Sequence, residues 1–320
     1  MSETEPLLEL DDICVDFPVT KARGEKATLR AVRGVSLQVL PGESIALVGE
    51  SGCGKSTLGR VMVGLIEPSS GSLHYRGRVL DQRGRQQTRR MLQMVFQNPY
   101  GALDPRFRVH RSVREPLDIA GIGSRAERRE KVAWALDLVG LGTRHAVAFP
   151  KQLSGGQLQR VGIARAIVTS PEVLICDEVT SALDVSVKIQ IVELLVELRR
   201  KLDISYVFIS HDLGIVKQVA TRIAVMYLGQ IVELMAAGSF YRDAAHPYSR
   251  ALLDSVPVLA LEAQGKRAPV ILGGEVPSPI DPPSGCAFRS RCSLAQDICR
   301  EVNPTLTVRS PSHLVACHFR

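Results

Sequence analysis

A glycine-rich segment at residues 49–57 has the residue types and the spacing that bind a phosphate chain. It matches the pattern G-x-x-x-x-G-K-[ST] and reads Gly49-Glu50-Ser51-Gly52-Cys53-Gly54-Lys55-Ser56-Thr57. Glycines let backbone N–H groups curl around phosphates, and the positive end of a following helix points at the same anion. Lys55 can reach the β- and γ-phosphates, and the Ser56 hydroxyl can ligate Mg²⁺. The segment therefore predicts nucleotide binding.

Two acidic residues, Asp177 and Glu178, end the apolar run 173–176. An acid at the carboxyl end of a buried strand beside a phosphate loop is well placed to hold Mg²⁺ through water, which is the role we predict for Asp177. Glu178 would then lie near the γ-phosphate, where its carboxylate can polarise an attacking water. Two acids that merely end a strand are the simpler alternative, which the phosphate loop disfavours.

A second helix start with anion-binding character lies at residues 153–157, Leu153-Ser154-Gly155-Gly156-Gln157. Ser154 can cap the helix, and the two glycines expose its first N–H groups. One nucleotide does not need two such sites in one chain. Two chains that meet head to tail, each completing the other's pocket, would use both, whereas an ordinary capped helix is the local alternative.

Alternating strand and helix patterns continue to about residue 255 and predict a mostly parallel sheet with helices on both faces. Short apolar runs predict strands, at 13–17, 29–40, 44–48, 73–75, 94–96, 173–176, 206–209 and 223–226. Segments with apolar residues at helical spacing predict helices, at 57–65, 125–139, 157–168 and 186–202. From about Pro257 the periodicity fades, and a separate small module or an extended arm is expected.

Composition narrows the class of protein. The 320 residues are 45% hydrophobic, and no apolar run approaches the roughly 18 residues that a membrane helix needs. The acidic, polar N-terminus is unlike a secretory signal, so a cytosolic chain is expected. The net charge of +7 is compatible with nucleic acid or an anionic lipid surface. Its arginines are spread out and not interleaved with aromatic residues, which favours a solvated basic surface and no nucleic-acid partner.

The order of several further motifs resembles ATP-binding-cassette ATPases over about residues 8–255. The segment 153–160 resembles the family's signature motif, and residues 181–184 resemble the D-loop at the dimer seam, which gives Asp184 a place near the nucleotide. Gln97 resembles the Q-loop glutamine that senses the γ-phosphate and metal, and His211 resembles the switch histidine. Phe17 sits where the family places an aromatic residue that stacks on adenine.

Finer features resemble the oligopeptide/dipeptide permease ATPases, the F-type dipeptide subunits most of all. These features are residues 96–106, the triplet 246–248, and the run from Pro277 to Phe288. The resemblance implies a P-loop α/β fold with a mixed sheet over residues 1–255, a helical subdomain at about 98–170, and a small Cys-rich C-terminal module at 256–320. The family usually has proline after the catalytic glutamate, whereas Val179 stands here, so the path of the chain toward Asp184 is expected to differ slightly.

Four cysteines crowd the last 35 residues, Cys286, Cys292, Cys299 and Cys317. Clustered cysteines in a cytosolic chain suggest a metal before they suggest disulfides. Five, six and seventeen residues lie between successive cysteines, a spacing that is unusual for zinc. Four thiolates also suit a [4Fe–4S] cluster. The permease ATPases that this tail resembles are associated with such a cluster. An iron–sulfur staple is therefore expected, with reduced metal-free thiols and zinc as the alternatives.

The resemblance implies an ATP-hydrolysing subunit that powers peptide import. Its expected catalytic residues are Lys55, Gln97, Glu178 and His211, and its Mg²⁺ ligands are Ser56, Gln97 and Asp177. Implied partners are a sister ATPase subunit, two transmembrane permease subunits and an extracytoplasmic peptide-binding protein, with the chain peripheral on the cytoplasmic face of the membrane. Importers of nickel or glutathione, and a soluble cassette ATPase acting on nucleic acid, are the alternatives.

Overall fold

The structure is a computed structural model that describes residues 5–21, 24–81, 84, 87–255 and 275–320. Twelve strands are described: β1 Leu8–Thr20, β2 Lys26–Val39, β3 Ser44–Val48, β4 Ser70–Tyr75, β5 Arg78–Val79, β6 Leu92–Val95, β7 Val173–Asp177, β8 Ser205–Ser210, β9 Arg222–Tyr227, β10 Gln230–Ala236, β11 Thr307–Ser310 and β12 His313–Val315. They form a four-stranded sheet and an eight-stranded sheet.

The described segments between the strands contain helices and two short 3₁₀ turns, at Pro150–Gln152 and Arg289–Arg291. The helices are α1 Lys55–Met62, α2 Pro99–Ala102, α3 Val109–Ile119, α4 Arg125–Leu138, α5 Thr143–Ala146, α6 Gly155–Ile167, α7 Val185–Leu202, α8 Leu213–Val219, α9 Ala237–Asp243, α10 Pro247–Asp254 and α11 Ile298–Glu301. Within the described residues, no helix combines the length and the apolar character that a membrane crossing requires.

The large sheet has the strand order β11-β12-β10-β9-β3-β8-β7-β6. The five strands from β9 to β6 run parallel, and the pairs beyond β9 are antiparallel. Strands β3, β7 and β8 are buried at every position, which is why the interior of each is an apolar run rather than an alternating one. Because parallel strands end at the same edge of a sheet, the segments that follow β3, β6, β7 and β8 meet there.

Alternate residues of β3 face two separate cores. Ala46 and Val48 pack into the core that α3, α4, α6, α7 and α8 share. Ile45 and Leu47 pack into a second core with α1 and the inner face of the small antiparallel sheet, whose order is β2-β1-β4-β5. Helices therefore lie on both faces, as predicted. The sheets are more mixed than mostly parallel, because the alternating strands β1 and β2 form a hairpin outside the parallel sheet.

Local sequence explains where the predicted helices begin. Ser124 accepts a hydrogen bond from the N–H of Glu127, and the Glu127 side chain accepts from the N–H of Ser124. This capping box satisfies two N–H groups that have no partner within the helix. The predicted helices at 125–139 and 186–202 correspond to α4 and α7 within one residue at each end.

The described part of the C-terminal tail is joined to the cassette rather than separate from it. Strand β12 pairs with β10 in the large sheet, and Phe288 lies in the core shared with the helices. The N–H of Arg30 in β2 donates to the carbonyl of Pro279. The tail has too few apolar residues for a core of its own, so it uses the existing one. Of the two arrangements expected for the tail, a separate module or an extended arm, the described part shows no core of its own, and residues 256–274 lie outside the described residues.

Candidate nucleotide-binding site

The predicted phosphate loop lies between β3 and α1, and its backbone requires glycine at two places. Gly54 has φ +103°, and a Cβ there would stand 2.2 Å from the carbonyl oxygen of Ala31. At Gly49 a Cβ would stand 2.2 Å from the carbonyl oxygen of Met226. Helix α1 begins directly after Gly54, so its first N–H groups open toward the loop. The residues therefore form the strand–loop–helix arrangement that binds phosphate.

Lys55 lies folded into the loop. Its ammonium donates to the carbonyl oxygens of Gly49 at 2.8 Å and Glu50 at 2.9 Å, and it lies 3.6 Å from the Cys53 sulfur. Burial raises the pKa of the Cys53 thiol, although Lys55 opposes this, so Cys53 is a buried thiol and not a reactive thiolate. The loop thus holds its cation beside the backbone that would receive a phosphate.

Ser56 and Asp177 are in contact at the start of α1. The Ser56 hydroxyl donates to Asp177 Oδ1 at 2.7 Å, and Asp177 is buried. Burial raises the pKa of the Asp177 carboxyl, with the Ser56 hydrogen bond opposing that shift. A hydroxyl and a carboxylate in contact are the oxygen donors that Mg²⁺ takes, and a cation would offset the burial of this charge. These two residues fit the predicted Mg²⁺ ligands.

Glu178 is the centre of a cluster of predicted catalytic residues. The Gln97 amide donates to Glu178 Oε2 at 3.0 Å, and His211 Nδ1 lies 3.5 Å from Glu178 Oε1. Gln97 follows β6 and His211 follows β8, the two strands on either side of β7. Three of the four predicted catalytic residues are therefore brought together, while Lys55 lies in the phosphate loop.

The backbone holds Glu178 in a left-handed conformation with φ +45°. Its N–H donates to the carbonyl of Ile209 at 3.0 Å, and its carbonyl accepts from the Ser181 hydroxyl at 2.9 Å. Left-handed backbone is costly for a residue other than glycine, and these bonds hold the main chain of Glu178 in that conformation. Val179, the residue at which the chain departs from the family pattern, is buried in the core with the helices.

The signature residues lie apart from the phosphate loop. Ser154 caps α6, accepting from the N–H of Gln157 while the Gln157 side chain accepts from the N–H of Ser154. Within the described ranges, no hydrogen bond or ion pair joins residues 154–157 to residues 49–57. Gly156 packs against α7, where a Cβ would stand 2.6 Å from Val187. The chain therefore presents two separate anion-binding helix starts.

Two further predicted residues occupy the edges of the site. Asp184 is exposed and precedes α7 without a side-chain capping bond. Phe17 is half-buried in β1, opposite Leu29 of β2, and packs against the core beneath the small sheet. Their roles at the dimer seam and on adenine stay predictions.

Sequence reasoning missed two residues that hold the phosphate loop. Arg291 makes two hydrogen bonds with the Glu50 carboxylate, at 2.7 and 2.9 Å. The Tyr248 hydroxyl accepts from the N–H of Glu50 at 2.7 Å. Tyr248 belongs to a triplet that resembles the permease ATPases, which was the one available signal. Arg291 gave none, because it is 241 residues from Glu50 along the chain.

The four tail cysteines lie close enough to influence one another. Burial raises the pKa of Cys286, and the charges of Cys299, Cys292 and Cys317 raise it further. Cys299 is buried and the other three are half-buried. In the described part of the chain, however, no group of three or more His, Cys, Asp or Glu side chains is arranged to hold a metal ion. The predicted iron–sulfur cluster has no support from that geometry.

Comparison with known proteins agrees with the class that the site defines, a cassette ATPase. A family model described as "ABC transporter" matches residues 32–181, and one described as "Oligopeptide/dipeptide transporter, C-terminal region" matches residues 232–299. An oligopeptide transport ATP-binding protein of Bacillus subtilis is 42% identical over 98% of both chains. A putative peptide import ATP-binding protein of Brucella abortus is 47% identical, over 98% of this chain and 94% of its own.

Solved structures agree with this class. A dimeric ATP-binding cassette in a post-hydrolysis state, bound to ADP and Pi, superposes with a TM-score of 0.64 at 29% identity, covering 72% of this chain and 98% of its own. A cassette of Clostridium perfringens that is part of an ABC transporter complex gives a TM-score of 0.65 at 27% identity, covering 81% and 99%. The chain belongs to the ABC transporter family of ATP-binding proteins. The family prediction is confirmed, and the chain is an ATPase coupled to transport.

Proposed function

We propose that this chain is the ATP-hydrolysing subunit of a peptide importer. The observation that carries the proposal is the near full-length similarity to peptide-import ATP-binding proteins, which continues through the tail. A dipeptide transport ATP-binding protein of Escherichia coli is also 42% identical over 98% of this chain and 94% of its own. Dipeptides and oligopeptides are therefore the substrate class that we assign.

The phosphate loop binds ATP through the backbone of residues 49–57 and through Lys55. In this arrangement the Lys55 ammonium turns from the carbonyls of Gly49 and Glu50 toward the β- and γ-phosphates. Bound Mg²⁺ supplies charge neutralisation at the phosphates. Ser56, Asp177 and Gln97 are the residues that would hold it, and the contact between Ser56 and Asp177 supports this assignment.

Glu178 is the general base for the attacking water. Its carboxylate is mostly buried, with 16% of the side chain exposed, and two polar side chains hold it from opposite oxygens. His211 is positioned to contact the γ-phosphate beside it, since 58% of its side chain is exposed. Catalysis in phosphoryl transfer is mainly positioning and charge stabilisation, and this cluster supplies both.

Two cassettes close around two ATP molecules, with a sister subunit as the partner. The separation of residues 154–157 from the phosphate loop supports this arrangement, because the signature helix start then serves the partner's nucleotide. Ser154, Gly155, Gly156 and Gln157 contact that nucleotide across the seam. Asp184 lies at the seam, and Phe17 stacks on adenine.

Closure of the two cassettes moves two transmembrane permease subunits, which receive peptide from an extracytoplasmic binding protein. The helical subdomain at 98–170 docks on them, so that the chain is peripheral on the cytoplasmic face of the membrane. Tyr100, Ile119 and Val147 are among the large apolar side chains exposed in the described part of that subdomain.

The tail cysteines would hold a [4Fe–4S] cluster that staples the tail. This proposal rests on the presence of four cysteines in the tail alone, since no group of His, Cys, Asp or Glu side chains among the described residues is arranged to hold a metal ion. Protein purified without oxygen should then be brown and contain iron. Colourless, iron-free protein with all four thiols titratable would reject the cluster.

Reconstitution tests the transport assignment. The chain is coexpressed with permease and sister-ATPase subunits of a peptide importer, and the purified assembly is placed in vesicles. Peptide with its binding protein should stimulate ATP hydrolysis, and Lys55→Ala should abolish that hydrolysis because the phosphates lose their cation. Hydrolysis that responds to nickel or glutathione and not to peptide would overturn the peptide assignment.

A further inference from the structure

The phosphate loop contains one acidic side chain, Glu50, among residues 49–57. ATP brings several negative charges to this loop, and a nearby carboxylate without a compensating cation would repel them. The Glu50 carboxylate is directed instead at Arg291, whose guanidinium contacts both of its oxygens. The loop therefore meets its ligand with this negative charge already neutralised.

The pair between Glu50 and Arg291 is well shielded from water. The Arg291 side chain is 4% exposed and the Glu50 side chain 26%. The Glu50 hydrogen bonds raise the pKa of Arg291, so the guanidinium stays charged. Paired hydrogen bonds between arginine and a carboxylate fix orientation as well as charge, which a lysine could not do. The contact thus determines where the start of the loop lies.

The segment that carries Arg291 is held against the core. Its N–H donates to the carbonyl of Phe288, and Phe288 lies in the core, with its ring centroid 5.2 Å from that of Tyr227. The guanidinium carbon lies 5.9 Å from the centroid of the Tyr227 ring. Tyr227 ends β9, the strand beside β3 from which the loop begins. Arg291 is therefore held by the same sheet that carries the loop.

A second bond from the same aromatic group holds the loop backbone. Tyr248 is fully buried, its ring centroid lies 4.7 Å from that of Tyr227, and its hydroxyl accepts from the N–H of Glu50. Both the backbone and the side chain of Glu50 are thus held by residues that follow β9. These contacts come from α10 and from the tail, and they involve neither Lys55 nor Ser56.

We propose that Arg291 is a positioning residue for ATP binding, which neutralises Glu50 and holds the start of the phosphate loop in its binding conformation. The tail beside Cys292 thereby sets the affinity of the nucleotide site. The inference rests on the assignment of residues 49–57 to the phosphates of ATP. It predicts that the tail acts on nucleotide affinity more than on the hydrolytic step, because Glu178 and its partners lie on a different strand end.

The test is a double-mutant cycle in the full-length chain, with KM for Mg-ATP and kcat measured for each variant. Arg291→Ala should raise KM about tenfold, equivalent to about 1.4 kcal/mol, and leave kcat within about twofold. Adding Glu50→Gln removes the negative charge that the loss of Arg291 leaves unpaired. The KM of the double variant should therefore return to within about threefold of the wild-type KM. Arg291→Lys should be intermediate, because it keeps charge but loses the paired geometry.

Arg242→Ala is the matched control, since Arg242 pairs with the exposed Asp243 and does not touch the loop. It should leave KM unchanged. If Arg291→Ala unfolds the chain, Arg291→Lys and the ATP-induced rise in melting temperature give the same answer. A wild-type KM in Arg291→Ala or Arg291→Lys, or a double variant as weak as Arg291→Ala alone, overturns the proposal. Loss of binding in Lys55→Ala together with an unchanged Arg291→Ala would reject this inference and keep the ATP assignment.

Discussion

Replacement of Glu178 by glutamine separates proton transfer from every other role of that side chain. Glutamine has the same length and shape, and its amide oxygen can still accept from the Gln97 amide, which now donates to Glu178 at 3.0 Å. The backbone bonds to Ile209 and Ser181 involve main-chain atoms of residue 178 and are retained. The amide cannot take a proton from water at neutral pH. The variant therefore keeps the site's geometry and loses the base.

The expected effect falls on kcat. A positioned general base contributes a factor of about 10² to 10⁴, which is about 2.7 to 5.4 kcal/mol of transition-state stabilisation. The ATP contacts assigned to Lys55, Ser56 and the loop backbone do not include Glu178, so KM should change less than about threefold. Since ATP binds and is not consumed, Glu178→Gln should also accumulate as a closed dimer with ATP and Mg²⁺.

Two measurements on the full-length chain, with the sister subunit present, test this reasoning: steady-state ATP hydrolysis, and the dimer fraction by size-exclusion chromatography with light scattering. Glu193→Gln is the matched control, because Glu193 is an exposed acid on α7. Glu193→Gln should hydrolyse ATP normally. Because it consumes its ATP, it should not accumulate as a closed dimer. Turnover of Glu178→Gln within about tenfold of wild type would refute Glu178 as the base.

Two further predictions concern stability, both measured by urea unfolding of the full-length chain. Gly54→Ala should lower the free energy of unfolding by about 1–3 kcal/mol, because φ +103° is strained for alanine and its Cβ would meet the Ala31 carbonyl. Gly142→Ala is the control and should lower it little, since Gly142 has φ −76° and open space around it. Equal losses in the two variants would contradict the loop geometry. Burial lowers the pKa of His246 from 6.5 to about 3. The unfolded chain therefore takes up a proton first as pH falls below 6.5, and stability falls by about 1.4 kcal/mol per pH unit until the folded pKa is reached. His246→Asn, which keeps an acceptor for the Tyr248 N–H, should remove about 2 kcal/mol of the loss between about pH 7.5 and 5, and a variant with the wild-type pH slope would contradict this.

The buried parallel strands were predictable because each is a short, continuous apolar run. The predicted strands at 44–48, 206–209 and 223–226 lie within β3, β8 and β9. Burial on both faces favours apolar residues along the interior of the strand, and that pattern is visible in the sequence without knowledge of the neighbours. The phosphate loop was predictable for a similar reason, since local φ angles and close backbone contacts require its glycines.

The partition into two sheets was not predictable from these patterns. β1 and β2 alternate in burial and form a hairpin, but nothing in their residues says whether they add to the parallel strands or pack across them. A separate module or an extended arm was expected for the tail, and neither expectation included the pairing of β12 with β10. The tail's short strands carry few apolar residues, so their pairing depends on an edge that β10 leaves open.

The sequence by itself determined which residues are candidates for the chemistry, because each motif depends on spacing within a few residues of one strand end. Only the tertiary structure decided which of them touch. Gln97 and His211 reach Glu178 because β6 and β8 flank β7, an order that chain position does not state. Arg291 reaches Glu50 because the tail folds back on β9 and β10. Contacts between distant segments follow from the packing of whole elements, and local residue patterns encode the elements but not their neighbours.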